Sequence, residues 1–205
     1  MQIIIQHIPY SCSEFEYCSS SSSGNSIAYS LIQHLLEIFG DTASINNSNS
    51  LLPFSFQASA TTMPPAHLYD IRRKQWISDK ILDWLLQNYN PDSNTKVLAI
   101  CNFDAYSGDL NFVLGEAHLG GRVAAIYLHR LRQELYVKKS DTNKLFEQRI
   151  IKEAIHELGH TFGLSHCEES RCVMHFSNSL QDTDFKSYIF CKKCDKILKE
   201  QTADK

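Results

Sequence analysis

Apolar and polar positions along the chain alternate between two regimes, short β-branched runs and longer stripes at helical spacing. Ile3–Ile8 opens as a strand, its isoleucines suited to a buried sheet position. Ile27, Leu31, Leu35 and Ile38 then recur at helical spacing, so a helix is expected from a cap at Asn25 or Ser26 through Phe39, stopped by Gly40-Asp41. A second stripe of Ile71, Trp76, Ile77, Ile81, Trp84, Leu85 and Leu86 predicts a helix over Tyr69–Asn88, broken by Asn90-Pro91-Asp92. Val97–Cys101, Leu110–Leu114 and Val123–Leu128 read as strands punctuated by glycines. A last helix carries Leu145, Phe146, Ile150, Ile151 and Ile155 on one face and Glu147, Arg149 and Lys152 on a polar one. This order predicts an α/β (α+β) domain, a mixed sheet packed on helices. With no repeat and no long linker, 1–205 is expected to be a single domain. The Ser-rich 11–26 and polar 41–50 stretches read as flexible segments, too polar to bury a core.

The chemistry concentrates in residues 153–174, EAIHELGHTFGLSHCEESRCVM. His156 and His160 are four apart, hence on one face of a helix, where both imidazoles reach one metal. Glu157 stands beside them, able to hold water without being a ligand. On a continuing helix, His166 would lie about 9 Å beyond His160, out of reach of the same ion. The chain must therefore turn, and Gly163 is the residue there that enters a left-handed conformation without steric cost. A turn at Gly163 returns His166 as a third ligand and leaves one position open, the arrangement of a catalytic zinc.

Four cysteines follow in two pairs, Cys167 with Cys172 and Cys191 with Cys194. Four thiolates make a closed tetrahedral site that fits a structural zinc; two disulfides or four buried thiols are the alternatives.

The motif H-E-x-x-H-x-x-G-x-x-H resembles the metzincin metallopeptidases. Its extension through Cys167, Cys172, Met174, Cys191 and Cys194 is similar to the archaemetzincins. The resemblance spans roughly 63–198 and takes in Arg72-Arg73-Lys74-Gln75-Trp76, Leu110–Ala117 and Phe176–Leu180. It implies a metzincin-like fold with a mostly parallel sheet and an active-site helix. It also implies a second, structural zinc on the four cysteines of 167–194, and a turn formed by Met174 beneath the catalytic zinc. The function expected is zinc-dependent hydrolysis of peptide bonds, with Glu157 as general base and two Zn2+ per chain. An extended peptide or protein substrate would add to an edge strand within Leu110–Ala117. A zinc-stabilised binding module without turnover, or a hydrolase of a non-peptide amide, are the rival readings.

Composition narrows the partners. The chain has 205 residues, 43% hydrophobic and 21% charged, with a formal net charge of −3. No global basic field attracts nucleic acid, and no apolar run approaches the ~20 residues of a membrane span. The N-terminus, MQIIIQHIPY, lacks the pattern of a secretory signal, and the cysteines number seven, an odd count. Both favour a reducing cytoplasm. Cys12, Cys18 and Cys101 are expected to be free thiols, and His7, His34, His67, His118, His129 and His175 ordinary histidines. His175 lies close to the motif. The lysines of 186–205 are expected to form a solvated face.

Overall fold

Two parallel strands fully buried on both faces form the spine of the fold. A computed structural model describes residues 2–8, 31, 33–35, 37–39, 56–59, 63–132 and 142–203. Its main sheet contains β1 (Gln2–Ile8), β2 (Phe56–Ser59), β5 (Thr95–Cys101), β7 (Gly115–Ala117) and β8 (Val123–Tyr127). The order is β2-β1-β5-β8-β7; β7 alone runs antiparallel to its neighbour, at the edge. A smaller sheet has the order β3-β4-β6, from β3 (Tyr69–Asp70), β4 (Gln75–Ile77) and β6 (Ala105–Tyr106).

Every residue of β5 and β8 is buried, as a sheet covered on both faces requires. Ile3, Ile5, Leu98, Ile100, Ala124 and Ile126 face one helical layer. This layer holds α1 (helical at 31, 33–35 and 37–39) and α4 (Thr142–Thr161). Ile8, Val97, Ala99, Cys101, Val123, Ala125 and Tyr127 face α2 (Ser78–Tyr89) through Ile81, Leu82 and Leu85. The short α3 (Leu128–Leu131) follows β8, while α5 (Leu180–Phe185) and α6 (Lys192–Ala203) complete the chain. No helix among the described residues is long and apolar enough to cross a membrane. The 11–26 and 41–50 segments, with Cys12 and Cys18, lie outside the described residues.

Three expectations are corrected. The helix expected over Tyr69–Asn88 begins only at Ser78; its first half is the β3–β4 hairpin. Asp70 Oδ1 accepts the N–H groups of Arg72 (2.8 Å) and Arg73 (3.1 Å), and Lys74 adopts φ 56°, so the chain turns where a helix would continue. Ile71, counted in the helical stripe, is 81% exposed. Trp76 instead packs on Phe103 (4.9 Å between centroids) and Tyr69 (5.4 Å) in the second core.

Leu110–Leu114 is not a strand; the ladder starts at Gly115. Arg73 Nη2 donates to the carbonyl of Leu110 (2.6 Å) and Gln75 Nε2 to that of Asn111 (2.9 Å), while Val113 N–H donates to Ala105 (3.0 Å). These bonds commit the backbone of 110–113 to the small sheet and leave it irregular.

The polar face of α4 is covered by protein at Arg149 and Lys152. Arg149 makes a two-point pair with Asp184 (2.6 Å to each oxygen), and Lys152 Nζ donates to the carbonyls of Thr183 (3.0 Å) and Asp184 (2.8 Å). Lys186, assigned to a solvated face, is 1% exposed and pairs with Glu153 at 3.0 Å. In each case α5 and the residue after it cover the helix, which the local pattern does not reveal.

Candidate active site

α4 ends at the place where its two histidines must face a common point. Leu164 N–H donates to Gly159 (3.1 Å) and Gly163 N–H to His160 (2.9 Å), the paired bonds of a Schellman stop. Gly163 has φ 88°, and a β-carbon there would meet nothing within 4 Å. Its requirement is therefore conformational rather than spatial. The end of the helix is also held from the sheet. Lys96 Nζ donates to Thr161 (2.8 Å) and Gly121 (2.6 Å), and Gly120 N–H donates to His160 (2.8 Å).

The turn brings His166 beside His156 and His160, with one ligand nitrogen from each lying within 4.8 Å of the others. His156 Nδ1 donates to the carbonyl of Val173 (2.7 Å) and His160 Nδ1 to that of Leu164 (2.7 Å), since a carbonyl can only accept. Both Nε2 atoms therefore carry bare lone pairs, and they face each other at 3.1 Å. Burial, reinforced by the charge of Lys186, holds His156 well below the ordinary histidine value, and burial also lowers His160 and His166. Neutral imidazoles with converging lone pairs repel one another unless a cation sits between them. Nitrogens bound to zinc at about 2.0–2.1 Å lie about 3.3 Å apart, so this donor set fits the metal.

Glu157 is buried on the same helix, against Gly115 of β7. Burial first, then the charges of Glu153 and Glu116 against that of Lys186, push its carboxyl well above the ordinary value. Met174 is wholly buried below the helix, where a β-carbon at Gly159 would lie 2.5 Å from its Sδ. A glycine inside a helix costs about 1 kcal/mol against alanine; here it leaves room for that methionine. Phe176 stands edge-on to His166, centroids 4.8 Å apart. The three histidines and Glu157 open on a cleft of about 590 Å³, walled by 110–117 on one side and 176–178 on the other.

The second cluster joins Cys167, Cys172, Cys191 and Cys194, their sulfurs all within 4.8 Å of one another. All four are unbridged, as is the buried Cys101. Cys167 Sγ and Cys191 Sγ are 3.7 Å apart, close to the about 3.8 Å edge of a tetrahedron with Zn–S bonds of about 2.3 Å. Burial works to raise the Cys191 thiol, but the Cys194 N–H and the neighbouring thiols outweigh it and bring it down to about 7. His175, not a member of either cluster, donates from Nδ1 to the carbonyl of Cys167 (2.8 Å).

Sequence reasoning passed over Gly115, the Glu153–Lys186 pair, the Val173 carbonyl, and the hold of Arg73 and Gln75 on the cleft wall. Each depends on residues distant in the chain. The only sequence signal was that Arg73, Gln75 and Gly115 fall within the upstream segments that carry the archaemetzincin resemblance.

A peptidase that uses zinc is the class this site defines, and known proteins agree. Residues 14–200 match the model of Peptidase family M54, and the chain belongs to that family. The archaemetzincin of Pyrococcus abyssi is 48% identical over 129 residues, 62% of this chain and 68% of that protein. The archaemetzincin of Pyrococcus furiosus is 45% identical over 136 residues, 66% of this chain and 70% of that one. Among solved structures, archaemetzincin from Methanopyrus kandleri superposes with a TM-score of 0.77 at 29% identity, over 99% of this chain and 96% of that one. A zinc-dependent peptidase from Methanocorpusculum labreanum gives 0.69 at 25% identity, over 96% and 99%.

Proposed function

We propose that His156, His160 and His166 hold the catalytic zinc of this peptidase, that Glu157 is its general base, and that the four cysteines hold a second, structural zinc. The observation that carries this reading is the pair of bare Nε2 atoms facing each other at 3.1 Å, with a buried carboxylate one residue away. Zinc at such a site supplies a Lewis acid that acidifies water toward a pKa of ~7 and polarises the scissile carbonyl. Glu157 receives the proton of the attacking water on its carboxylate and returns it to the departing amine. Val173 and Leu164, through their carbonyls, fix the tautomer and ring plane of two histidines.

The substrate is held along β7. Tyr127 N–H donates to Leu114 and His118 N–H to Val123, with Glu116 opposite Ala125 between them. In this alternation the main-chain groups of Gly115 and Ala117 point away from β8, toward the open edge. An extended peptide pairs with them and passes over the zinc helix.

Glu157→Ala tests the reading. It should keep both metals and the fold while lowering turnover about 10²–10⁴-fold, the usual contribution of a general base. Wild-type turnover in that variant refutes the assignment.

A further inference from the structure

Gly115 occupies a strand position that makes no unusual demand on the backbone. It is absent from the positive-φ residues, which among the described glycines are Gly108, Gly120 and Gly163. It lies at the sheet edge, where larger residues have higher strand propensity than glycine. What sets it apart is what lies over its α-carbon. A β-carbon there would sit 2.5 Å from Oε1, 2.6 Å from Cγ and 2.8 Å from Cδ of Glu157. Real β-carbons essentially never approach another atom closer than 3.0 Å.

From this contact we infer that Gly115 is a positioning residue for catalysis: its missing side chain leaves the space in which the Glu157 carboxylate is held against the cleft. The inference rests on Glu157 being the general base. The atoms in conflict belong to a side chain with rotatable bonds, so a β-carbon at 115 displaces the carboxylate more readily than it disrupts the strand. Folding is little affected by that displacement, whereas proton transfer depends on position to within an ångström. A misplacement of about 1 Å costs on the order of 10²-fold in rate. The strand thus has two duties at one residue: outward main-chain groups toward the substrate, and an empty face toward the base.

The test is a double-mutant cycle of Gly115→Ala and Glu157→Ala, measuring kcat and KM on a peptide that the wild type cleaves, with metal content and circular dichroism. Gly115→Ala should retain its metals and spectrum and lose about 10²-fold in kcat with little change in KM. In the Glu157→Ala background the same change should cost nothing further, because no carboxylate remains to be displaced. A Gly115→Ala enzyme with wild-type kcat beside an inactive Glu157→Ala overturns the proposal alone. So does an equal loss in both backgrounds, or a loss confined to KM, since either means that the strand acts on the substrate. Full activity in Glu157→Ala overturns the general-base assignment, and the positioning role with it. If the β-carbon unsettles the fold, adding Glu157→Ala removes Cγ, Cδ and Oε1 together; structure regained in that double variant supports the contact, and none regained refutes it.

Discussion

The Nδ1–H of His156 donates to the main-chain oxygen of Val173 at 2.7 Å, and Val173 lies between Cys172 and Met174. One bond thus connects the candidate catalytic metal site to the loop carrying the cysteine cluster. A second link runs in parallel. His166 precedes Cys167 in the chain, and Cys167 N–H donates to the carbonyl of Met174 (2.9 Å). Two of the three histidines are therefore oriented by the segment that carries the four thiols.

Cys194→Ser should expose this coupling. The substitution replaces a soft anionic donor with a poor neutral one on α6 and loosens 166–194 without touching a histidine. Orienting contacts behind metal ligands are commonly worth about 10–100-fold in affinity or activity, and a loss of that order in catalytic-zinc affinity is expected. Competition with a chromophoric chelator, read together with peptide turnover, measures it. Unchanged affinity and turnover after loss of the cysteine-bound metal would show the sites to be independent.

Metal removal should proceed in two stages. His166 is exposed and its cluster faces the cleft, whereas Cys172 and Cys194 are buried in a closed set of donors. A chelator is expected to take the first zinc with loss of activity and little change in helicity. The second should leave only under stronger chelation, with unfolding of 167–194. Elemental analysis alongside circular dichroism follows both steps, and a single zinc in carefully reduced protein would contradict the two-site reading.

The pair Lys186–Glu153 anchors the segment after α5 to the helix behind the site. The lysine Nζ and the carboxylate are 3.0 Å apart, both side chains almost wholly buried, and Thr183 Oγ1 donates to the same oxygen at 3.3 Å. Lys186→Met leaves the carboxylate of Glu153 buried without its cation. Breaking a buried pair from one side costs about 3–5 kcal/mol, and that loss is expected in urea unfolding. Lys186→Met combined with Glu153→Leu should recover most of it, because no charge is then left unpaired. A single variant as stable as the wild type would show that water or another group reaches Glu153.

The amino-acid sequence by itself determined the parts of this protein whose geometry is local. His156, Glu157 and His160 share a helical turn, and Gly163 stops the helix through its own backbone preference. The spacing of these residues therefore specifies their arrangement without help from the rest of the chain. The apolar runs Val97–Cys101 and Val123–Leu128 were legible as strands for the same reason, since a run apolar on both faces has few other uses; the strands themselves are Thr95–Cys101 and Val123–Tyr127. Tertiary structure decided the rest. Trp76 and Ile77 fitted a helical stripe until Asp70 and Lys74 turned the chain and the second core drew Trp76 into a strand. Arg149 and Lys152 read only as a polar face and Lys186 as solvated, and the burial of all three depends on partners some 30 residues away that satisfy them. The space at Gly115 has no meaning until Glu157, distant in the chain, is packed over it. A spacing rule describes what one element presents, whereas close packing between elements decides which atoms may share a place.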